Sequence, residues 1–455
     1  ADQISALTSA QVKLLSTSQI VALTTAQAAG LTTDNFKALT TKQVGYLSLN
    51  AVQALSTAQL AAMLTANMAN LTNDQIAALT TDQFVGLTTS HVKAITTDQI
   101  PALTTAQAAA MNNSQVQALT TDQLVNMEAR DVAAFSAAQL NALSTAQFVK
   151  LTGEQITALT TAQAAGLSAG QLTALTSDQT LALNSTDLSK LSAAQLNALS
   201  TANVASLRAD QITALGTAQT SGLSTANIAA LTADQAAVLT TAQVANLTNA
   251  QMSALKTNQV YALSTANVAS LSPAQLNALS TDNFAALKVS QIKALQTSQT
   301  AGLSTGNIVA LTTDQAAVLS SAQVANLTSR QVKSLETADL TQITTQALAA
   351  MTTANLSVLS TGQLSSLTTT QLAALTTDQI KAMTIGQAAA LTTDQVVALT
   401  TNEISVLTTD QLVALSSSQI KALQTAQAAA LSSDQLRAIE VTDIAALTTD
   451  AMAAL

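Results

Sequence analysis

The sequence contains no cysteine and no tryptophan, a single histidine and two prolines. Without thiols there can be no disulfides and no thiolate metal sites. That absence fits a secreted chain without requiring one. One histidine leaves little room for a nucleophile–base–acid set. Aromatic residues make up 2% of the chain, which argues against base-stacking surfaces and aromatic ligand boxes. Charged residues make up only 9% and the net charge is −9, so electrostatics disfavour a nucleic-acid partner. No apolar run approaches the ~18 residues that a membrane-spanning helix needs, because Thr and Gln interrupt nearly every stretch. P-loop, dinucleotide-binding and EF-hand patterns are missing too. The composition therefore points to a non-enzymatic chain with no cofactor.

What the chain does have is a period of eight. Every eighth residue from Leu7 to Leu455 is large and apolar, 57 positions in all, of which 48 are Leu. The others are Met63, Ile95, Met111, Met127, Phe135, Ile343, Met351, Met383 and Ile439. No insertion or deletion breaks the series, so residues 1–455 read as one continuous array without linkers. The unit approximates Leu-Thr-Thr-x-Gln-Ile/Val-x-Ala, as in Leu391-Thr392-Thr393-Asp394-Gln395-Val396-Val397-Ala398. Strict repetition of a small unit marks a solenoid or fibre. The chain opens inside a unit, at Ala1-Asp2-Gln3, and is expected to be a portion of something longer.

One continuous helix cannot use this period. Eight residues turn through roughly 800°, so the Leu row drifts about 80° per unit and circles the helix within a few units. Supercoiling absorbs repeats of seven or eleven, not eight. A β-solenoid would put every Leu on one face, but Ala and Gln are poor strand formers and the glycines mark no regular corners.

A short capped helix fits. With the first Thr as N-cap, Gln falls at N3 and completes a capping box, while Leu at N′ and Ile or Val at N4 form a hydrophobic staple. Thr or Ser occupies the N-cap in 44 of 56 units, and N3 is Gln in 40 of 57 and Asn in eight more. All 25 acidic residues lie at N-cap, N2 or N3, where the helix dipole favours them. Half of the 16 basic residues lie at the fifth helical position, among them Lys13, Lys293 and Arg437. Pro273 falls at N1, which tolerates proline. Pro101 falls at the fifth position, where it removes a hydrogen bond and predicts a 3₁₀-like turn.

Isolated helices this short do not persist, since ~12–15 residues are needed for marginal stability. Neighbouring units must therefore stack. The expected fold is all-α: a superhelix of capped helices about six residues long joined by two-residue corners. Leu, Ile, Val and Ala lie inside, and Thr, Asp and Lys face water. With two helices per layer at about 9 Å spacing, the array would be a rod of roughly 250 Å. Units with Ala or Thr at N4 (Ala28, Ala108, Thr180, Thr220, Thr300) should mark a thinned core or a place where a neighbour packs. Leu215–Ala254 matches Leu295–Ser334 at 27 of 40 positions, a copy offset by 80 residues.

Few positions suggest chemistry. His91 stands in an N3 slot and reads as a substitute for Gln. Three units replace Thr-x-x-Gln by Glu-x-x-Asp: Glu128/Asp131, Glu336/Asp339 and Glu440/Asp443. Two carboxylates on one helical turn are a candidate cation pair, for Ca²⁺ above all, but an acidic capping box is the plainer reading. Regularly spaced Thr could also present an ice-binding face or O-glycan acceptors. The first Thr is already used as a cap, however, and the second drifts to Ala, Asn, Ser, Val or Gly.

The run Ala237-Val238-Leu239-Thr240-Thr241-Ala242-Gln243-Val244-Ala245-Asn246-Leu247 resembles Thr/Gln/Ala/Leu-rich octapeptide arrays of large bacterial secreted or surface proteins, often labelled adhesin-like. The resemblance extends over the whole chain. It implies an extracellular or cell-surface structural role and supplies no functional residues to transfer. The leading expectation is a surface filament, sheath or stalk that self-associates by stacking. The alternatives are a monomeric spacer of an adhesin, or a scaffold that binds a glycan, peptide or cation. The variable positions lack aromatic anchors, which disfavours tight binding.

Overall fold

The computed structural model describes residues 2–455. Among the described residues there are 56 α-helices of four to six residues each, one 3₁₀ helix and no strand. The chain is a solenoid of short helices, one per octad. By its internal contacts it divides into two compact units, Ala1–Ala230 and Leu231–Leu455.

The helix Thr393–Ala398 shows how one octad builds its element. Thr392 takes an extended conformation (φ −74°, ψ 159°) and starts the helix as N-cap. Its hydroxyl accepts the Gln395 N–H at 3.1 Å, and Gln395 Oε1 accepts the Thr392 N–H at 2.9 Å. This reciprocal pair is the expected capping box, and it recurs through both units. Leu391 and Val396, the staple residues, are both buried. Where the N-cap is Gly216 or Lys288, only half of the box exists: Gln219 and Gln291 still accept the N-cap N–H, at 2.7 and 2.6 Å, but no cap side chain answers.

The proline expectations hold. Pro273 opens the helix Pro273–Ala278 at N1 behind the Ser272 cap. Around Pro101 the α-helix is replaced by the 3₁₀ turn Ile100–Ala102. No α-type bond can form there, because the Pro101 nitrogen carries no hydrogen.

Two extended residues make each corner, for example Leu399 (ψ 137°) and Thr400 (ψ 162°). Among the described residues none has a positive φ. A helical hairpin usually reverses through a left-handed residue after the helix. These corners lack one, so they turn the chain partway round instead of back on itself. The two-helix layer expected from sequence is therefore incorrect. Within each unit, helices three octads apart pack together, as Thr25–Ala29 does on Leu49–Gln53 and Thr353–Ser357 on Thr377–Ala382.

Inside each winding lie the Leu series and the N4 side chains. Val396, Ile380 and Phe284 are fully buried, and the register residues Leu391, Met383 and Leu279 nearly so. N1 and N2 side chains such as Thr393 and Asp394 face water. Units with Thr at N4 keep that residue inside by bonding its hydroxyl back to the helix: Thr180, Thr220 and Thr300 donate to the carbonyls of Thr176, Gly216 and Gln296 at 2.9–3.0 Å. Two of these units, and that of Ala164, end in glycine. The glycines mark close approaches: a Cβ built on Gly166, Gly222 or Gly302 would lie 2.5 Å from the Cβ of Ala137, Ala193 or Pro273. The same three corners are clasped by Asn141, Asn197 and Asn277. Their amides donate to the Gly166, Gly222 and Gly302 carbonyls at 2.7–2.8 Å, and their Oδ1 atoms accept the N–H groups of Ser168, Ser224 and Ser304 at 2.7–3.0 Å. A place where a neighbour packs is thus the correct reading for Thr220 and Thr300.

Candidate functional site: the interlayer amide ladder

The densest polar constellation of this protein is the row of buried N3 side chains. A helix of five residues leaves most of its backbone groups without intrahelical partners. The capping box meets the N-terminal donors. The C-terminal carbonyls are met from the next layer. Gln395 Nε2 donates to Leu367 O at 2.8 Å and to Leu364 O at 3.2 Å, which lie 28 and 31 residues earlier. In the first unit Gln75 repeats the arrangement with Leu47 O at 2.7 Å and Val44 O at 3.0 Å. The 28-residue step equals three and a half octads, so each amide reaches across one layer. One side chain caps its own helix start with Oε1 and closes the helix end beneath it with Nε2. Leaving such buried groups unmet would cost about 1–3 kcal/mol each.

Sequence reasoning identified the first of these roles and missed the second. A signal for it was present. A capping box accepts Glu as readily as Gln, yet among 57 N3 positions only Glu403 is Glu. Only the amide carries the N–H donors that the facing carbonyls need.

The substitutes confirm the geometry. Asn67, Asn203, Asn283 and Asn355 are shorter and keep only the 28-residue bond, to the carbonyls of Leu39, Leu175, Leu255 and Leu327 at 2.6–2.9 Å. His91 fills the slot as a neutral imidazole: Nδ1 lies 2.9 Å from Thr88 Oγ1, and Nε2 lies 2.8 Å from Met63 O. It is a capping substitute that also spans the layers.

The candidate cation pairs are divided by their environment. Asp131, Asp339 and Asp443 sit buried in the ladder, while Glu336 and Glu440 are exposed at the N-cap and make no cap bond. Glu128 is half-exposed and pairs with Arg130 at 2.6 Å. Asp131 accepts the Thr105 hydroxyl at 2.8 Å, and the Ser417 hydroxyl donates to Asp443. Burial pushes the pKa of Asp131 up against the pull of Thr105 and Arg130. Burial likewise raises Asp187 and Glu403, the other two acidic N3 residues. Among the described residues no group of three or more His, Asp or Glu side chains is gathered that could hold a metal ion. No described helix is long and apolar enough to cross a membrane.

A family model described as the ALTTAQ repeat matches thirteen segments: 52–89, 76–113, 92–128, 124–161, 181–217, 214–249, 246–281, 265–297, 292–329, 332–369, 368–401, 388–425 and 404–440. The chain belongs to the ALTTAQ repeat family. No curated protein matches it. Each ALTTAQ match covers 33–38 residues. That is longer than the 28-residue step of the ladder, so one match holds an N3 amide together with the carbonyl it closes. The ALTTAQ unit is therefore a unit of interlayer bonding as well as of helix capping.

Proposed function

We propose that this chain is a non-enzymatic structural segment of an extracellular or cell-surface protein, in which stacked octads build a filament, sheath or stalk. The observation that supports this reading is the amide ladder. Each layer spends its polar side chains on the backbone of another layer of the same kind, and its apolar side chains on a shared interior. A surface so built recognises further octads: more repeats of the same array, or a second copy of the chain. On this reading residues 1–455 act as one array without cofactor or nucleic-acid partner. The similarity to bacterial adhesin-like arrays supports the same location and role.

The exposed hydroxyls remain as acceptors for surface glycans. An ice-binding face is less favoured, because N1 hydroxyls such as those of Thr105 and Thr257 are drawn into interlayer bonds, to Asp131 and Asn283. Electron microscopy of the purified protein over a concentration series tests the proposal. Filaments much longer than one chain, growing with concentration, are the expected result. Particles one chain long at every concentration would overturn self-assembly and favour a monomeric spacer or scaffold.

A further inference from the structure

Asp339 departs from every other acidic member of the ladder. It is 2% exposed, and its Oδ2 has no hydrogen-bond partner. The other four each accept a bond: Asp131 from Thr105, Asp187 from Asn184, Glu403 from the Thr400 N–H and Asp443 from Ser417. Where Asn stands in this slot, as Asn355 does two octads later, its Nδ2 donates to the register carbonyl 28 residues earlier at 2.6 Å. For Asp339 the corresponding group is the Leu311 carbonyl, which no donor reaches among the described residues. Asp and Asn have the same shape. An ionised Asp339 therefore sets acceptor against acceptor between two layers, and a protonated one supplies the missing donor.

We propose that Asp339 is a proton-operated clasp between layers: protonated, its carboxyl donates to the Leu311 carbonyl and closes the contact, and ionised it leaves the contact unbonded. The charges around it favour the closed form. Glu336 precedes it on the same helix, and the helix Thr313–Ala316 packed against it carries Asp314. The other packed helix, Thr361–Ser366, carries no charge, and neither does the helix Thr305–Val309 that leads to Leu311. The basic residues of this region, Arg330 and Lys333, belong to the preceding helix Ser329–Ser334, and neither forms an ion pair with Asp339. Burial, and then the Glu336 carboxylate, push Asp339 up from 3.8 to about 6. Because its folded pKa lies above the unfolded one, the stability it contributes is fully present below about pH 4 and is lost as pH rises through about 6. Near neutrality the clasp is open; in mild acid the layer tightens. The inference does not depend on filament formation.

Hydrogen exchange on the full chain at pH 4.5, 6 and 7.5, corrected for intrinsic rates, tests it in peptides covering 305–315 and 337–343. Asp339→Asn should fold, since Asn already occupies this slot in eight units. In the wild type, protection of these peptides should fall by about tenfold per pH unit as the group ionises. D339N should be protected at every pH and should exceed the wild type at pH 7.5. Asp131→Asn, whose carboxylate already has a donor, should change the pH response of its own layer less. The same pH profile in D339N and wild type would overturn the clasp. So would full recovery of protection at pH 7.5 with Ca²⁺ alone, which would make the occupant a cation.

Discussion

Replacing Gln395 by Ala removes three kinds of contact at once. Thr392 N–H loses its acceptor at 2.9 Å, and the carbonyls of Leu367 and Leu364 lose donors at 2.8 and 3.2 Å. At about 1 kcal/mol for each lost bond, the change should cost about 3 kcal/mol. Gln19 provides the comparison. It makes the same capping box with Ser16 but has no layer beneath it among the described residues, so its amide bonds no carbonyl. Gln19→Ala should therefore cost only the exposed cap, about 0.5–1 kcal/mol. The gap of about 2 kcal/mol is roughly a 30-fold difference in local opening. Hydrogen exchange measures it directly, and suits a repeat array better than a single melting temperature, because such arrays need not unfold in two states. Exchange should accelerate in both the mutated octad and the residues near 364–367. If the two substitutions loosen their octads equally, or if residues 364–367 are unaffected by Gln395→Ala, the interlayer role of the amide is refuted.

Two further outcomes are expected. Gly222→Ala and Gly302→Ala bring a Cβ to 2.5 Å from Ala193 and Pro273, and should destabilise by about 1–3 kcal/mol. Gly386→Ala, with nothing within 4 Å of the added atom and a helical backbone, should stabilise by about 0.5–1 kcal/mol; chemical denaturation monitored by circular dichroism separates the two signs. Deleting Ala398 alone should disrupt the winding after it, because every later Leu leaves the interior. Deleting Leu391–Ala398 whole should be tolerated, and equal losses of helical signal would contradict the register argument.

Much of the fold is legible in one octad. The Thr392–Gln395 box, the Leu391–Val396 staple, the 3₁₀ turn at Pro101 and the start at Pro273 all depend on residues within a single unit, and local rules place them. The size of the layer is not local. It follows from how far the Leu399–Thr400 corner rotates one helix against the next, and residue identity at the corner leaves that angle open. Sequence spacing also puts Glu336 and Asp339 on one helical turn without saying that N3 points between layers and the N-cap toward water. That division decides their chemistry. The three Asn–Gly clasps left a trace, Ala or Pro followed by Asn four residues later and Gly 25 residues beyond. Three instances in a degenerate array do not announce themselves until the layers are superposed.

Those clasps bear on how such a chain finds its own winding. Nearly identical octads can pair with the wrong neighbour at almost no local cost, and a slipped layer would still bury Leu and bond Gln. The corners at Gly166, Gly222 and Gly302 do not permit this substitution. Only a glycine fits against Ala137, Ala193 or Pro273, and only there do Asn141, Asn197 and Asn277 find both a carbonyl and an N–H. In a text made of one repeated word, these are the punctuation marks by which a misaligned reading is detected and rejected during folding.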